Sequence, residues 1–270
     1  MTALVDYLCN AFTPDRLPIW EAAVAGLTLK IRHDEFVEPE AMVARMDAHG
    51  FSALLLPTAD MGDDDFTPVA ARWDEVAKLV ERWPGRFAAL ACIDPTRGID
   101  AVRELERRLK EKWVAGCYLH THSFDLPFDA AAYYPLYSAA AAHDVPVVMQ
   151  AGISGGRLPS ECGRPIHLDR AALYFRDTRF VLSHTGYPWV EEAIAMARKF
   201  PNVFIGTGSY PPKRWPPALV DFLASGKVVF GTNFPTVGHE QAARQLAELG
   251  YNRDPLTTAA ANVFTRLEQR

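Results

Sequence analysis

The chain has 270 residues, of which 49% are hydrophobic and 23% charged, and its formal net charge is -5. This balance is ordinary for a globular protein, and it provides neither the basic patch that nucleic-acid binding needs nor a polybasic segment for a membrane surface. The sequence has no apolar run of transmembrane length, no recognisable signal peptide and no CxxC pair among its four cysteines. It therefore predicts a cytoplasmic protein.

Short apolar runs, most of them rich in β-branched or aromatic residues, alternate with amphipathic stretches along the chain. Such runs are typical of parallel strands that are covered on both faces. The predicted strands are residues 4–8, 53–57, 87–93, 114–119, 145–149, 180–183, 203–205 and 228–230. The predicted helices are residues 39–49, 68–82, 99–112, 130–143, 168–175, 189–200, 216–225 and 240–249.

Eight strands that are each followed by a helix predict a (β/α)8 TIM barrel, here a single domain over residues 1–270. The first connection, residues 13–39, is long for such a loop, and we expect it to lie over the barrel mouth. Residues 254–267 predict a C-terminal helix. An open doubly wound sheet also fits the alternation, but no glycine-rich phosphate loop follows the first strand.

The second half of the chain carries the most specific motifs. It contains QAGISGGRLPSECGRPIHLD from residue 150, SHTGYPWVEEAIAMARKFPNVFIGTGSYPPKRWPP from residue 183 and KVVFGTNFP from residue 227. These stretches resemble the amidohydrolase-related (amidohydrolase 2) family of metal-dependent hydrolases. The resemblance covers residues 85–268 well and residues 1–84 more weakly.

The resemblance implies a metal site that this chain does not reproduce. The family carries an HxH pair after the first strand, histidines after the fifth and sixth strands, and an aspartate after the eighth. The matching positions here are Leu8, Asn10, Gln150, His184 and Asn233. Amides bind zinc poorly and leucine not at all, while a catalytic zinc needs about three protein ligands. We therefore expect no metal cofactor; the alternative is a divalent ion such as zinc held by His120, His122 and His184.

Polar residues at the predicted strand ends are the candidate catalytic groups. The imidazole of His184 titrates near neutral pH and suits acid–base work, or else it is a buried structural histidine. His120 and His122 are two residues apart, so on an extended segment they would share a face. Gln150 and Asn233 can hold developing negative charge, or they satisfy buried backbone groups.

Other residues near the mouth are candidates for substrate binding. Arginines grip carboxylates, although a single arginine is more often solvated or ion-paired. Aromatic side chains suit an apolar or aromatic substrate but serve packing equally often. The predicted substrate-binding residues are Asn10, Arg157, Tyr187, Trp189, Tyr210 and Arg214. Asp6 is a further candidate base, whereas His239 is expected to be structural.

These observations predict an enzyme of the resembled family. We expect a hydrolase for a small carboxylated, aromatic or acyl substrate, such as an ester, a lactone or a cleavable C–C bond. A decarboxylase or lyase, a non-catalytic ligand-binding barrel, and an isomerase or cyclase that reuses the pocket remain open alternatives. The expected partner is a small molecule, not nucleic acid or membrane. Homodimers are common among such barrels.

Overall fold

The computed structural model of the chain describes residues 2–25, 27, 31–59 and 69–267. It contains eight parallel strands that curl into a barrel, plus one short extra strand, β3, which pairs with β2. The strands are β1 Leu4–Asp6, β2 Phe51–Ala59, β3 Ala71–Arg72, β4 Phe87–Cys92, β5 Val114–Leu119, β6 Val147–Met149, β7 Phe180–Leu182, β8 Val203–Gly206 and β9 Val228–Val229.

Helices follow the barrel strands, as the alternation predicts. They are α1 Leu17–Ala23, α2 Pro39–His49, α3 Trp73–Arg82, α4 Ile99–Arg108, α5 Thr121–Phe124, α6 Tyr134–Ala142, α7 Asp169–Tyr174, α8 Val190–Lys199, α9 Pro217–Phe222, α10 His239–Glu248 and α11 Asp254–Val263. The predicted TIM barrel is thus confirmed. Among the described residues, no helix has the length and apolar character needed to cross a bilayer.

Neighbouring strands pair in the order β1-β2-β4-β5-β6-β7-β8-β9. The seam between β9 and β1 is closed by a hydrogen bond from the Tyr7 N–H to the Phe230 carbonyl (3.0 Å) and by a bridge between Cys9 and Phe234. In addition, the backbone N–H of Thr232 donates to the side chain of Asp6 (2.9 Å). Side chains therefore contribute to joining the first and last strands.

Two apolar layers stabilise the barrel. One lies between the strands and the surrounding helices, and the other fills the interior with side chains such as Leu55, Leu90 and Val181. Helix α11 and the residue after it contribute Val263 and Phe264 to the interior layer. Burial of these large side chains supplies the main favourable term for folding.

The segment that follows α11 covers one end of the barrel. There Arg266 donates hydrogen bonds to the carbonyls of Leu109, Val114 and His143, which lie at or before the starts of β5 and β6. The C-terminal segment therefore covers the amino ends of the strands. The opposite end, where the carboxyl ends meet, remains for the functional site.

The first connection contains structure that the sequence pattern did not reveal. It includes α1 and a buried glutamate, Glu35, which is 5% exposed and accepts a hydrogen bond from Arg45 in α2 (2.6 Å). A Cβ atom on Gly238 would overlap the Glu35 carboxylate. This connection is therefore packed against the start of α10. Residues 26, 28–30 and 60–68 lie outside the described part, including the first residue of the predicted helix 68–82.

Candidate functional site

Backbone strain in the described part of the chain concentrates at the carboxyl ends of β7, β8 and β9. Of six non-glycine residues with positive φ, four lie there: His184 (57°), Thr185 (56°), Ser209 (69°) and Asn233 (49°). Positive φ is uncommon outside glycine and is a true outlier for a β-branched residue such as threonine. Such strain persists where surrounding structure enforces it, typically at functional sites. This end of the barrel is therefore the candidate site.

A fully buried carboxylate, Asp6, organises the first and last strands beneath the site. Its Oδ1 accepts hydrogen bonds from the N–H groups of Leu8 (3.1 Å) and Thr232 (2.9 Å). Its Oδ2 accepts one from the Thr232 hydroxyl (2.5 Å) and lies 3.0 Å from Nε2 of His239. A buried carboxylate needs such partners to offset its desolvation. Asp6 is therefore placed beneath the mouth, in a network that leaves it poorly placed as a base.

Three neutral side chains meet where the resemblance places two metal ligands. The Asn10 amide nitrogen donates to Asn233 Oδ1 (2.9 Å) and to the Phe234 carbonyl (2.8 Å). The Asn233 amide nitrogen in turn donates to the Ser209 hydroxyl (2.6 Å). These hydrogen bonds fix the orientation of both amides. As a result, Asn10 Oδ1 remains available as an acceptor, and the Ser209 hydroxyl proton remains available to donate.

Gln150 follows β6 and is almost completely buried. Its side-chain oxygen accepts a hydrogen bond from the Tyr118 hydroxyl (3.3 Å), and its backbone carbonyl accepts one from the Thr121 hydroxyl (2.5 Å). Gln150 is therefore held between β5 and the residues that follow it. The structure places it within the interior wall rather than on an exposed loop.

His184 stands at the end of β7 with one ring nitrogen already engaged. Its Nδ1 lies 2.6 Å from the hydroxyl of the fully buried Ser183. Burial, followed by the neighbouring His122 and His120, lowers the pKa of His184 to about 3. The imidazole is therefore neutral at physiological pH, and Nε2 has no hydrogen-bond partner among the described residues.

His120 and His122 adopt a different arrangement from the predicted one. The expectation that they share a face of an extended segment is wrong, because His120 precedes the short helix α5 and His122 lies inside it. Their ring centroids are 6.0 Å apart. Burial and the neighbouring His122 lower the pKa of His120 to about 4, and its Nδ1 lies 2.6 Å from the Ser123 hydroxyl.

His122 is 1% exposed and lies 2.9 Å through Nε2 from the Gly152 carbonyl. A carbonyl can only accept, so the ring proton is on Nε2 and Nδ1 carries a lone pair. That Nδ1 is buried without a partner among the described residues. Burial lowers the pKa of His122 as well, so all three histidines are neutral.

Two of the other predicted substrate-binding side chains, Tyr187 and Tyr210, contact each other, and we call this pair the rim. The rings of Tyr187 and Tyr210 are 5.5 Å apart, and burial raises the pKa of Tyr210 to about 12. Trp189 follows Tyr187 closely in the chain, whereas Arg157 and Arg214 are exposed. A nearby arginine, Arg164, is instead bound to Glu192 through two nitrogens (2.8 and 3.0 Å).

Sequence reasoning missed several polar residues of this end of the barrel. Ser183 and Ser209 lie in the stretch that resembles the family but occupy none of its metal-ligand positions. His239 is expected only to be structural, and Tyr7 falls within a predicted buried strand. The Tyr7 hydroxyl is a buried atom without a hydrogen-bond partner in the described part of the chain, as are Thr185 Oγ1, His122 Nδ1 and His239 Nδ1. A polar residue at a strand end is the one available signal, and it is weak.

One group of side chains in the described part has the chemistry of a metal site. The ligand atoms of Asp6, Cys9 and His239 all lie within 4.8 Å of one another. Burial, then the charge of Asp6, raises the pKa of Cys9 well above its ordinary range, so its thiol is neutral. A carboxylate and an imidazole bind divalent cations, and a thiol loses its proton on doing so. The donor set therefore fits a cation, which would replace the hydrogen bond between Asp6 and His239.

Known structures share this fold. An uncharacterized TIM-barrel protein from Bordetella bronchiseptica matches with a TM-score of 0.75 and 21% identity over 98% of this chain and 99% of that one. A 5-carboxyvanillate decarboxylase from Sphingomonas paucimobilis matches with a TM-score of 0.66 and 18% identity, over 98% of this chain and 99% of that one. A dihydroxybenzoic acid decarboxylase from Polaromonas was solved with manganese and 2-nitroresorcinol. It matches with a TM-score of 0.64 and 18% identity, over 98% of this chain and 97% of that one.

These findings correct the expectation that the chain has no metal cofactor. A relative of the same fold holds manganese, and this chain itself brings together Asp6, Cys9 and His239. The expectation failed because it rested only on positions aligned with the usual ligands. The family model described as amidohydrolase matches residues 35–258, most of the chain. The resemblance noted in the sequence is thereby confirmed: the chain belongs to the amidohydrolase family.

Proposed function

We propose that this protein is a carbon–carbon lyase that removes CO2 from a small aromatic carboxylic acid. The observation that carries the proposal is the neutral, hydrogen-bonding character of the site. His184 is held uncharged with a pKa of about 3, beside the neutral chain formed by Asn10, Asn233 and Ser209. Such a site accepts a carboxylate without like-charge repulsion while removing it from water.

The chemistry follows from that environment. When the C–C bond breaks, the carboxylate leaves as neutral CO2 and its electron pair remains on the ring carbon, which then takes a proton from water. Neutral N–H and O–H donors fixed beforehand stabilise the developing negative charge. We assign this role to His184 and the Ser209 hydroxyl, and we assign Asn10 and Gln150 to substrate orientation.

The rim and the relatives support an aromatic substrate. Tyr187 and Tyr210 form a ring pair at the mouth, and aromatic faces pack well against a planar ring. Two of the similar structures are decarboxylases named for benzoic acid or vanillate derivatives. A divalent cation, when bound, would supply positive charge for substrate oxygens, and Asp6, Cys9 and His239 are the described residues that could hold it.

Hydrolysis is the second candidate, and one observation favours it. The Nδ1 lone pair of His122 is unpartnered among the described residues and could accept a proton from a water that attacks an ester or lactone. Hydrolysis would use the same site, but His122 would act as a base, whereas decarboxylation uses His184 as a hydrogen-bond donor.

One experiment separates the candidates. The manganese-loaded protein is incubated with a panel of hydroxylated benzoic acids and, in parallel, with aromatic esters and lactones, and products are identified by mass spectrometry together with released CO2. We expect the unaltered protein to release CO2 and the decarboxylated arene, and we expect His184→Gln to lose this activity. Ester or lactone turnover without CO2 would replace the proposal by hydrolysis. Saturable binding without turnover in either panel would indicate a non-catalytic barrel.

A further inference from the structure

The ring of Tyr7 crosses the barrel interior directly beneath the site. It is fully buried and stacks on Phe264, which follows α11, with ring centroids 6.3 Å apart and planes inclined by 14°. A Cβ atom on Gly206 would overlap its hydroxyl, and one on Gly231 would overlap its ring. The two glycines therefore create the space that the tyrosine occupies, and the ring has one available position.

That position brings the Tyr7 hydroxyl to the end of β7. Its neighbours there are the N–H groups of Gly208 and His184 and the hydroxyl of Ser183. In the described part of the chain it makes no hydrogen bond of normal geometry. A buried hydroxyl without a partner is costly, so a small adjustment that completes one bond is favourable.

The direction of that bond follows from the partners. An N–H group can only donate, so among these neighbours only the Ser183 oxygen can accept the Tyr7 proton. The proton of Ser183 is then directed to its other neighbour, Nδ1 of His184, at 2.6 Å. With Nδ1 accepting, the ring proton of a neutral His184 must be on Nε2.

We propose that Tyr7 and Ser183 are positioning residues that fix His184 as the Nε2–H tautomer and present it to the substrate as a hydrogen-bond donor. The alignment of His184 with a family metal ligand gives this assignment its consequence, because Nε2 would have to lose its proton, and the hydrogen bond from Ser183 would have to reverse, before Nε2 could bind a cation. In this chain the histidine is thereby converted from a ligand position into a donor. The catalytic use of that donor rests on the proposed lyase function, whereas the tautomer itself does not.

The tautomer is measured by two-bond ¹H–¹⁵N correlation NMR on protein labelled with ¹⁵N-histidine, with the His184 signals assigned by their loss in His184→Gln. We expect the Nε2–H pattern in the unaltered protein. Tyr7→Phe and Ser183→Ala should lose it and give the Nδ1–H form or a mixture. Tyr133→Phe removes another buried phenol hydroxyl, whose bond runs to the Leu126 carbonyl (3.4 Å), and should leave the pattern unchanged.

An Nδ1–H pattern in the unaltered protein would overturn the proposal, as would an unchanged pattern in both Tyr7→Phe and Ser183→Ala. Tyr7→Phe keeps the ring that fills the space beside Gly206 and Gly231, so folding should be retained, and circular dichroism checks this. In a turnover assay the same variant should lower kcat roughly tenfold with little change in KM. The expected tautomer without any decarboxylation would refute the lyase function alone.

Discussion

The carboxylate of Asp6 lies 3.0 Å from Nε2 of His239, although 233 residues separate the two in the chain. Both side chains are fully buried, and the pair joins the first strand of the barrel to the helix after its last strand. Removing one member of a buried polar pair leaves the other without compensation.

Asp6→Asn should therefore destabilise the fold strongly. The amide oxygen can still accept from the N–H groups of Leu8 and Thr232, but the NH2 group would replace Oδ2. It would place donor protons against the Thr232 hydroxyl and Nε2 of His239, which now donate to that oxygen. We expect the free energy of unfolding in urea to fall by about 3–5 kcal/mol. The matched control is Asp15→Asn, since the Asp15 side chain is 71% exposed and should change stability little. Equal stabilities of the two variants would contradict this role.

The contact between Tyr7 and Gly206 predicts that a larger side chain at position 206 destabilises the fold. Gly206→Ala places a methyl group onto the Tyr7 hydroxyl and should cost about 1–3 kcal/mol of stability. Tyr7→Ala alone should also destabilise, but the double variant should be more stable than the sum of the two losses implies, because the clash is gone. Gly155→Ala, at a position with open space, is the control. Additive losses in thermal unfolding would show that the two residues do not compete for space.

The buried histidines predict a dependence of stability on pH. An unfolded histidine binds a proton below about pH 6.5, whereas the folded pKa values are about 4 for His120 and about 3 for His184. Between these limits the unfolded chain holds more protons, so stability falls as the pH falls. The slope is about 1.4 kcal/mol per pH unit for each histidine.

Urea unfolding at several pH values between about 7 and 4.5 measures that slope. His184→Gln should make it shallower by about one histidine's share, whereas His33→Gln should not, because the His33 side chain is 67% exposed. A slope that is identical in all three proteins would mean that His184 is not held neutral by the fold.

Much of this fold follows from local pattern, and much of the site does not. The sequence predicts residues 114–119 and 39–49 with the bounds that β5 and α2 have, because apolar runs and proline–glycine punctuation are local signals. It misses helix α5, because four residues carry no helical period. The partnership of Asp6 with His239, and that of Tyr7 with Gly206, depend on how the barrel closes, which no local pattern encodes.

Activity should depend steeply on His184. His184→Gln retains a polar side chain but lacks the fixed ring N–H, so we expect kcat for decarboxylation to fall by about 10²–10³-fold with a smaller change in KM. His33→Gln provides the matched histidine control at the surface. Full activity in His184→Gln would move the reaction to other residues.

Metal binding can be tested independently of turnover. We expect equilibrium dialysis with Mn²⁺, followed by elemental analysis, to find about one ion per chain, consistent with a single three-donor cluster in the described residues. His239→Gln and Cys9→Ala should each weaken that binding, because each removes one ligand atom. Unaltered manganese content in both variants would place the ion elsewhere.

The seam between β9 and β1 has a practical consequence. It is closed in part by side chains of Asp6 and Asn10, the latter donating to the Phe234 carbonyl across it (2.8 Å). A compound that binds at the mouth next to these groups holds the first and last strands together. Its binding free energy therefore raises the unfolding temperature of the whole barrel. Thermal-shift screening of metabolite libraries can therefore find the natural substrate before the bond that is broken has been identified.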